Sequence, residues 1–167
     1  MADLQASDDR SKPSARRAAR LAAVQALYQV EIGGEGVEAV VEQFWPRFGA
    51  EMFGGGAGPE MDRGFFAALV RGVVERRAEL DRHIGEALSR DLTVDRLELL
   101  LRTILRAGVY ELLARQDVPP RVALAEHVGV SNAFFGERET ALINGVLDRV
   151  ARKLRPHEMD GNGASAG

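Results

Sequence analysis

No cysteine occurs in the 167 residues, so neither a disulfide framework nor a thiolate metal site is open to the chain. Their absence also suits a reducing cytoplasm, where we expect the protein to work. The opening stretch MADLQASDDRSKPSARR has no apolar core of the kind a secretory signal needs. No apolar run approaches the length of a membrane span, so no membrane association is expected. The three histidines, His83, His127 and His157, are far apart and fit no metal-ligand spacing. No nucleophile elbow, phosphate-binding loop or dinucleotide fingerprint is present. The glycine-rich FGGGAGP at 53–59 lacks the Gly-Lys-Ser/Thr ending of a phosphate loop and reads as a connector. These absences argue against an enzyme and call for no cofactor and no metal.

What is present is an ordinary globular composition, 46% hydrophobic and 28% charged, sufficient for one real core. The net charge is −3, but it is unevenly spread. Between Arg10 and Arg20 lie five basic residues and no acidic one; Asp3, Asp8 and Asp9 precede them, and the chain from Leu21 onward is acidic overall. An acidic body with one basic end can hold a polyanion at that end and a basic partner elsewhere. A solvated basic terminus with no ligand would look the same.

Apolar spacing throughout is that of helices, with no strand alternation. Residues 1–13 read as a disordered tail, Ser14 as a helix cap, and 15–31 as a helix stopped by Gly33, Gly34 and Gly36. Further helices are expected over about 37–48, 60–80 (with a continuation to 89), from Asp91 or Thr93 to 115, from Pro119–Pro120 to Gly136, and over 139–154. Residues 156–167 read as a second disordered tail. The fold class is therefore all-α, six or seven helices in a bundle. Its expected core includes Leu27, Leu69, Val73, Leu105, Val109, Val128, Ile143, Leu147 and Val150, with Phe44 and Trp45 also inside.

With Arg16 at zero on a wheel of about 100° per residue, Arg20 falls near 40° and Arg17 near 100°. Leu27 falls at about 20°, Val24 at about 80° and Tyr28 at about 120°, so the arginines lie in line with the apolar stripe. A bundle cannot bury three unpaired guanidiniums. Either the first turn projects beyond the core as an exposed basic patch, or the arginines meet carboxylates. In the first case they suit phosphate, which guanidinium forks match well. On the last helix Asn144 and Asp148 lie opposite Ile143, Leu147 and Val150 and face outward or toward a neighbouring helix; Asp148 is also placed to pair with Arg152. Phe134 and Phe135 are candidates for stacking on bases, although about 100° separates them and one is expected in the core. Gly145 suggests close helix packing.

Four segments resemble one family in the right order. RRAARLAAVQALYQ (16–29) is similar to the opening of the NusB family, and ILRAGVYELL (104–113) to its Leu-Arg-x-x-x-Tyr-Glu-Leu segment. DVPPRVALAEHV (117–128) and LINGVLDRVA (142–151) resemble its Val-Pro-x-x-Val-Ala-Ile-Asn-Glu and Phe-Val-Asn-Gly-Val-Leu-Asp segments. The resemblance implies two small helical bundles over 14–155. It implies binding of boxA RNA in nascent ribosomal transcripts, together with NusE, within an RNA polymerase antitermination complex. Some members of the family self-associate, so a homodimer is also in view.

Carried onto this sequence, the resemblance makes Arg16, Arg17, Arg20, Gln25 and Asn144 RNA-binding residues, and Tyr28, Glu111 and Glu126 partner-binding ones. Ala125, Leu142 and Leu101 depart from the family pattern and bear on partner and RNA contacts rather than on the fold. Two other readings use the same residues. One is a stand-alone relative of the helical domain that opens ribosomal RNA cytosine methyltransferases; the other is a protein–protein adaptor without RNA binding, against which the arginine trio stands.

Overall fold

The structure, a computed structural model, describes the backbone of residues 2–44 and 61–161, and the side chains of 15–44 and 61–161. Trp45, the 53–59 connector and residues 162–167 lie outside the described residues. All regular structure among the described residues is helical. The chain divides into two compact units, Met1–Val74 and Glu75–Gly167.

The first unit holds α1 (Ala2–Gly33), α2 (described over 37–44) and α3 (Arg63–Glu75, which ends at the unit boundary). Helix α1 runs through Pro13 and Ser14, so the expected tail over 1–13 is helical from Ala2 and Ser14 is not its cap. Ala2, Leu4, Gln5 and Ala6 are good helix formers, and Asp3 falls in the first turn, where the helix dipole favours an acid. Gly34, at φ 68°, ends the helix in the left-handed conformation that glycine adopts without strain. The buried face of α1 is built mainly from small residues, Ala19, Ala22, Ala23, Val24, Ala26 and Leu27. Helix α3 buries Phe65, Phe66, Leu69, Val70 and Val73. Phe44 of α2 stacks on Phe66 with ring centroids 5.6 Å apart, and Arg71 of α3 donates to both oxygens of Glu38 at 2.8 and 2.7 Å.

The second unit holds α4 (Arg77–Ala87), a 3-10 turn (Val94–Arg96), α5 (Leu99–Ala114), α6 (Pro120–Asn132), α7 (Glu137–Leu154) and α8 (Pro156–Asp160). The single long helix expected from 60 is broken at Arg76, whose φ of −107° and ψ of 17° leave the helical region. Neither glycine nor proline marks that position, so the apolar spacing runs straight through it. Helix α5 packs against α4, α6 and α7 and is buried almost all round, from Thr103 to Val109 without interruption. Gly108 makes that closeness possible: a Cβ there would stand 2.8 Å from Cδ2 of Leu147 on α7.

Eight of the nine named core residues are buried; Val128 is only half-buried. Helix α6 turns Pro120, Ala123, His127, Val130 and Ser131 inward instead, and leaves Val122 45% exposed. The polar residues of the inward face meet partners on α5 and at the start of α7. His127 Nε2 pairs with a Glu111 carboxylate oxygen, both side chains fully buried, and Ser131 Oγ bonds the Val128 carbonyl at 2.7 Å and Thr140 at 3.2 Å.

The tail expected from 156 instead begins with α8. Met159 is buried, and Arg155 donates to the Val118 carbonyl at 2.7 Å and to both oxygens of Glu158 at 2.8 and 2.6 Å. These bonds from Arg155 hold the Glu158 carboxyl below the usual carboxylate range. One buried apolar anchor and one satisfied guanidinium are enough to order a segment whose composition alone reads as solvent-exposed.

Candidate nucleic-acid interface

The junction of α1 and α3 in the first unit gathers charge onto an aromatic ring. Asp62 precedes α3, and its Oδ1 accepts the Phe65 N–H at 3.0 Å, satisfying one of the free donors of the first turn. Its own N–H donates to the Ala15 carbonyl of α1 at 3.2 Å. The cap thereby fixes Phe65, and Phe65 receives two guanidiniums. Arg16 lies with its guanidinium carbon 4.7 Å from the ring centroid and Arg20 with its own at 4.9 Å. Both distances are within cation–π range. Arg16 Nε also stands 3.6 Å from Asp62 Oδ2.

The three arginines are thus not one exposed patch. Arg17 is exposed and Arg16 half-buried, but Arg20 is only 2% exposed. Its position in line with the apolar stripe is met by laying the guanidinium on Phe65, so Arg20 belongs to the packing of the arginine cluster and not to its open surface. Farther along α1, Gln25 and Tyr28 are half-buried. In the second unit Asn144 is exposed on α7, and Asp148 accepts from Arg152 at 2.9 Å, the i,i+4 pair that the spacing allows. Glu126 is half-buried. Glu111 is fully buried against His127 and so offers a partner no surface. Phe134 is 37% exposed and Phe135 half-buried; neither joins the core, because α6 ends at Asn132 and both fall in the turn that follows.

Sequence reasoning missed Asp62 and Phe65. The signal was there, since an aspartate three residues before a core aromatic at a helix start is a capping pattern. It was hidden by the expectation that the helix begins near 60.

A family model described as the NusB family matches residues 17–152. The chain belongs to the NusB family. It is 50% identical over 147 residues to a transcription antitermination protein NusB of Maricaulis maris, covering 86% of this chain and 89% of that one. It is 46% identical over 159 residues to the protein of that name from Nitrobacter hamburgensis, covering 95% and 98%. Among solved structures, T. maritima NusB superposes with a TM-score of 0.70 at 27% identity, over 87% of this chain and 96% of that chain. A NusB solved with NusE and double-stranded RNA superposes with a TM-score of 0.66 at 24% identity, covering 82% and 96%, which shows the shared fold. Among the described residues no helix is long and apolar enough to cross a membrane. No group of three or more His, Asp or Glu among them is placed to hold a metal ion.

Proposed function

We propose that this chain is a transcription antitermination factor that binds boxA-type single-stranded RNA in nascent ribosomal transcripts together with NusE. It acts by binding and not by catalysis, in the cytoplasm, as part of the assembly that keeps RNA polymerase from terminating. The observation that carries the reading is the arginine cluster on Phe65, at the start of the region that matches the family. Arg16 is held over a ring and still accessible, and Arg17 beside it is open to solvent. Guanidiniums held in this way meet phosphate with little ordering cost. The names of the full-length relatives support antitermination, and the solved family neighbour with NusE and RNA supports the class of partner. Relatives named transcription antitermination protein NusB, matched over 89% and 98% of their own length, also favour the factor over the methyltransferase-domain reading.

Within this reading Arg16, Arg17, Gln25 and Asn144 contact RNA, and Tyr28 and Glu126 contact the partner protein. The test is binding of a labelled boxA-type strand and of a scrambled strand of the same length, with and without NusE, at two salt concentrations. We expect preference for boxA and reciprocal tightening of RNA and NusE by roughly 5–150-fold, the usual span of coupling between two ligands. Equal affinity with and without saturating NusE would remove the joint surface. No RNA binding under either condition would leave a protein–protein adaptor.

A further inference from the structure

We propose that Asp62 competes with RNA phosphate for Arg16 and so sets the threshold at which this face accepts a strand. The inference rests on the reading of the α1 arginines as phosphate contacts. Three of the four ties made by Asp62 go to backbone: its N–H donates to the Ala15 carbonyl at 3.2 Å, its carbonyl accepts the Phe66 N–H at 3.0 Å, and its Oδ1 accepts the Phe65 N–H at 3.0 Å. They anchor the carboxylate to both helices, so it cannot follow Arg16 away. The tie to Arg16 is looser. Oδ2 is 3.6 Å from Arg16 Nε, beyond the 2.7–2.9 Å typical of a charge-assisted hydrogen bond. The two side chains keep 34% and 38% of their surface exposed. An ion pair of that length and exposure is easily exchanged.

Arg16, meanwhile, has a second support that does not depend on Asp62, the face of Phe65 at 4.7 Å. The ring presents the guanidinium and the carboxylate taxes whatever anion approaches it. A phosphate oxygen coming to Arg16 Nε must displace a fixed negative charge or share the guanidinium with it. A strand with few other contacts fails to do so, and one that adds base and partner contacts succeeds. Asp62 therefore gives up some affinity for every RNA, which weighs most on weak, non-specific binding.

The experiment is fluorescence anisotropy with the full chain and a labelled boxA-type single strand, at low and at high salt. Asp62→Asn keeps a side-chain acceptor for the Phe65 N–H and the backbone tie to Ala15 and removes only the charge. We expect it to bind roughly two- to five-fold tighter at low salt, the scale of an exposed ion pair. The gain should shrink at high salt, where such contacts are screened. In an Arg16→Ala background the gain should vanish, because Asp62 acts through Arg16. Unchanged or weaker binding by a folded Asp62→Asn overturns the proposal, as does a gain that persists without Arg16. Asp62→Ser, which retains a capping oxygen, reads the same quantity if the asparagine variant is unstable. If Arg16→Ala and Arg17→Ala together leave RNA binding intact, the assignment of the arginine face fails first. If they abolish it while both Asp62 variants bind as the parent does, only the competition fails.

Discussion

Around Phe65, two guanidiniums share one aromatic ring, and one of them keeps a third of its side chain in solvent beside a carboxylate it only loosely meets. Around Gly108, a carboxyl group and an imidazole are shut away completely, beside a Leu147 side chain that leaves no room for a methyl group on Gly108. The junction of α1 and α3 holds polar groups where a ligand can exchange them; the Glu111–His127 pair of the second unit holds them where nothing can. The difference lies in what surrounds each group. An exposed pair sits in high dielectric and contributes little to stability, so its partners can be traded for phosphate. A buried pair has already lost its water, so removing one member leaves the other at a large cost, while replacing both with apolar residues can be nearly neutral.

The largest effect that tests this contrast is on the sealed side. His127→Ala should cost about 2–5 kcal/mol in denaturant unfolding, because it opens a cavity and leaves the buried Glu111 carboxyl without its partner, while a double Glu111→Leu, His127→Leu variant should recover most of that loss. A single substitution that costs no more than the double would show that the two side chains do not depend on each other. Next, Gly108→Ala should cost about 1–3 kcal/mol by overpacking against Leu147, and Gly108→Ala with Leu147→Val should cost less than the sum of its parts. The melting temperatures of the four proteins in that cycle read the coupling directly.

On the open side the effects on stability are smaller and the arginines separate. Arg20→Ala should destabilise the fold by about 0.5–2 kcal/mol, because its guanidinium is buried on Phe65. Arg17→Ala should change stability by no more than about 0.5 kcal/mol, as exposed substitutions do, yet flatten the salt dependence of RNA binding. Each phosphate contact on a single strand adds about 0.7 to the log–log slope, so losing Arg16 and Arg17 together should lower it by roughly 1.4. If removing Arg20 as well carries the drop to roughly 2, Arg20 also reaches the RNA, and the contrast between packing arginine and binding arginine would dissolve.

The helices were legible wherever apolar residues recur at helical spacing, as in α3, α5 and α7. Where the buried face is polar or small, spacing pointed the wrong way. Helix α6 turns His127 and Ser131 inward, and nothing local announces that Glu111 and Thr140 will satisfy them, so Val128 looked like the core residue. Arg76 breaks a helix without a breaker. The arginine wheel did state the problem correctly, since three cations lay in line with an apolar stripe. Its solution, an aromatic platform fixed by a capping aspartate more than forty residues later, is a tertiary fact that the neighbourhood of Arg16 does not contain.

Arg155 has a consequence for the genetics of this chain. Its guanidinium donates to the carbonyl of Val118, 37 residues upstream, in the turn that launches α6, while its other nitrogens hold Glu158 and α8 buries Met159. A frameshift or stop codon after Leu154 would spare all the helices of the main bundle and look harmless in an alignment. It would nevertheless act as a lesion of the α5–α6 turn, leaving that carbonyl without its donor, and its phenotype should resemble that of substitutions around Val118.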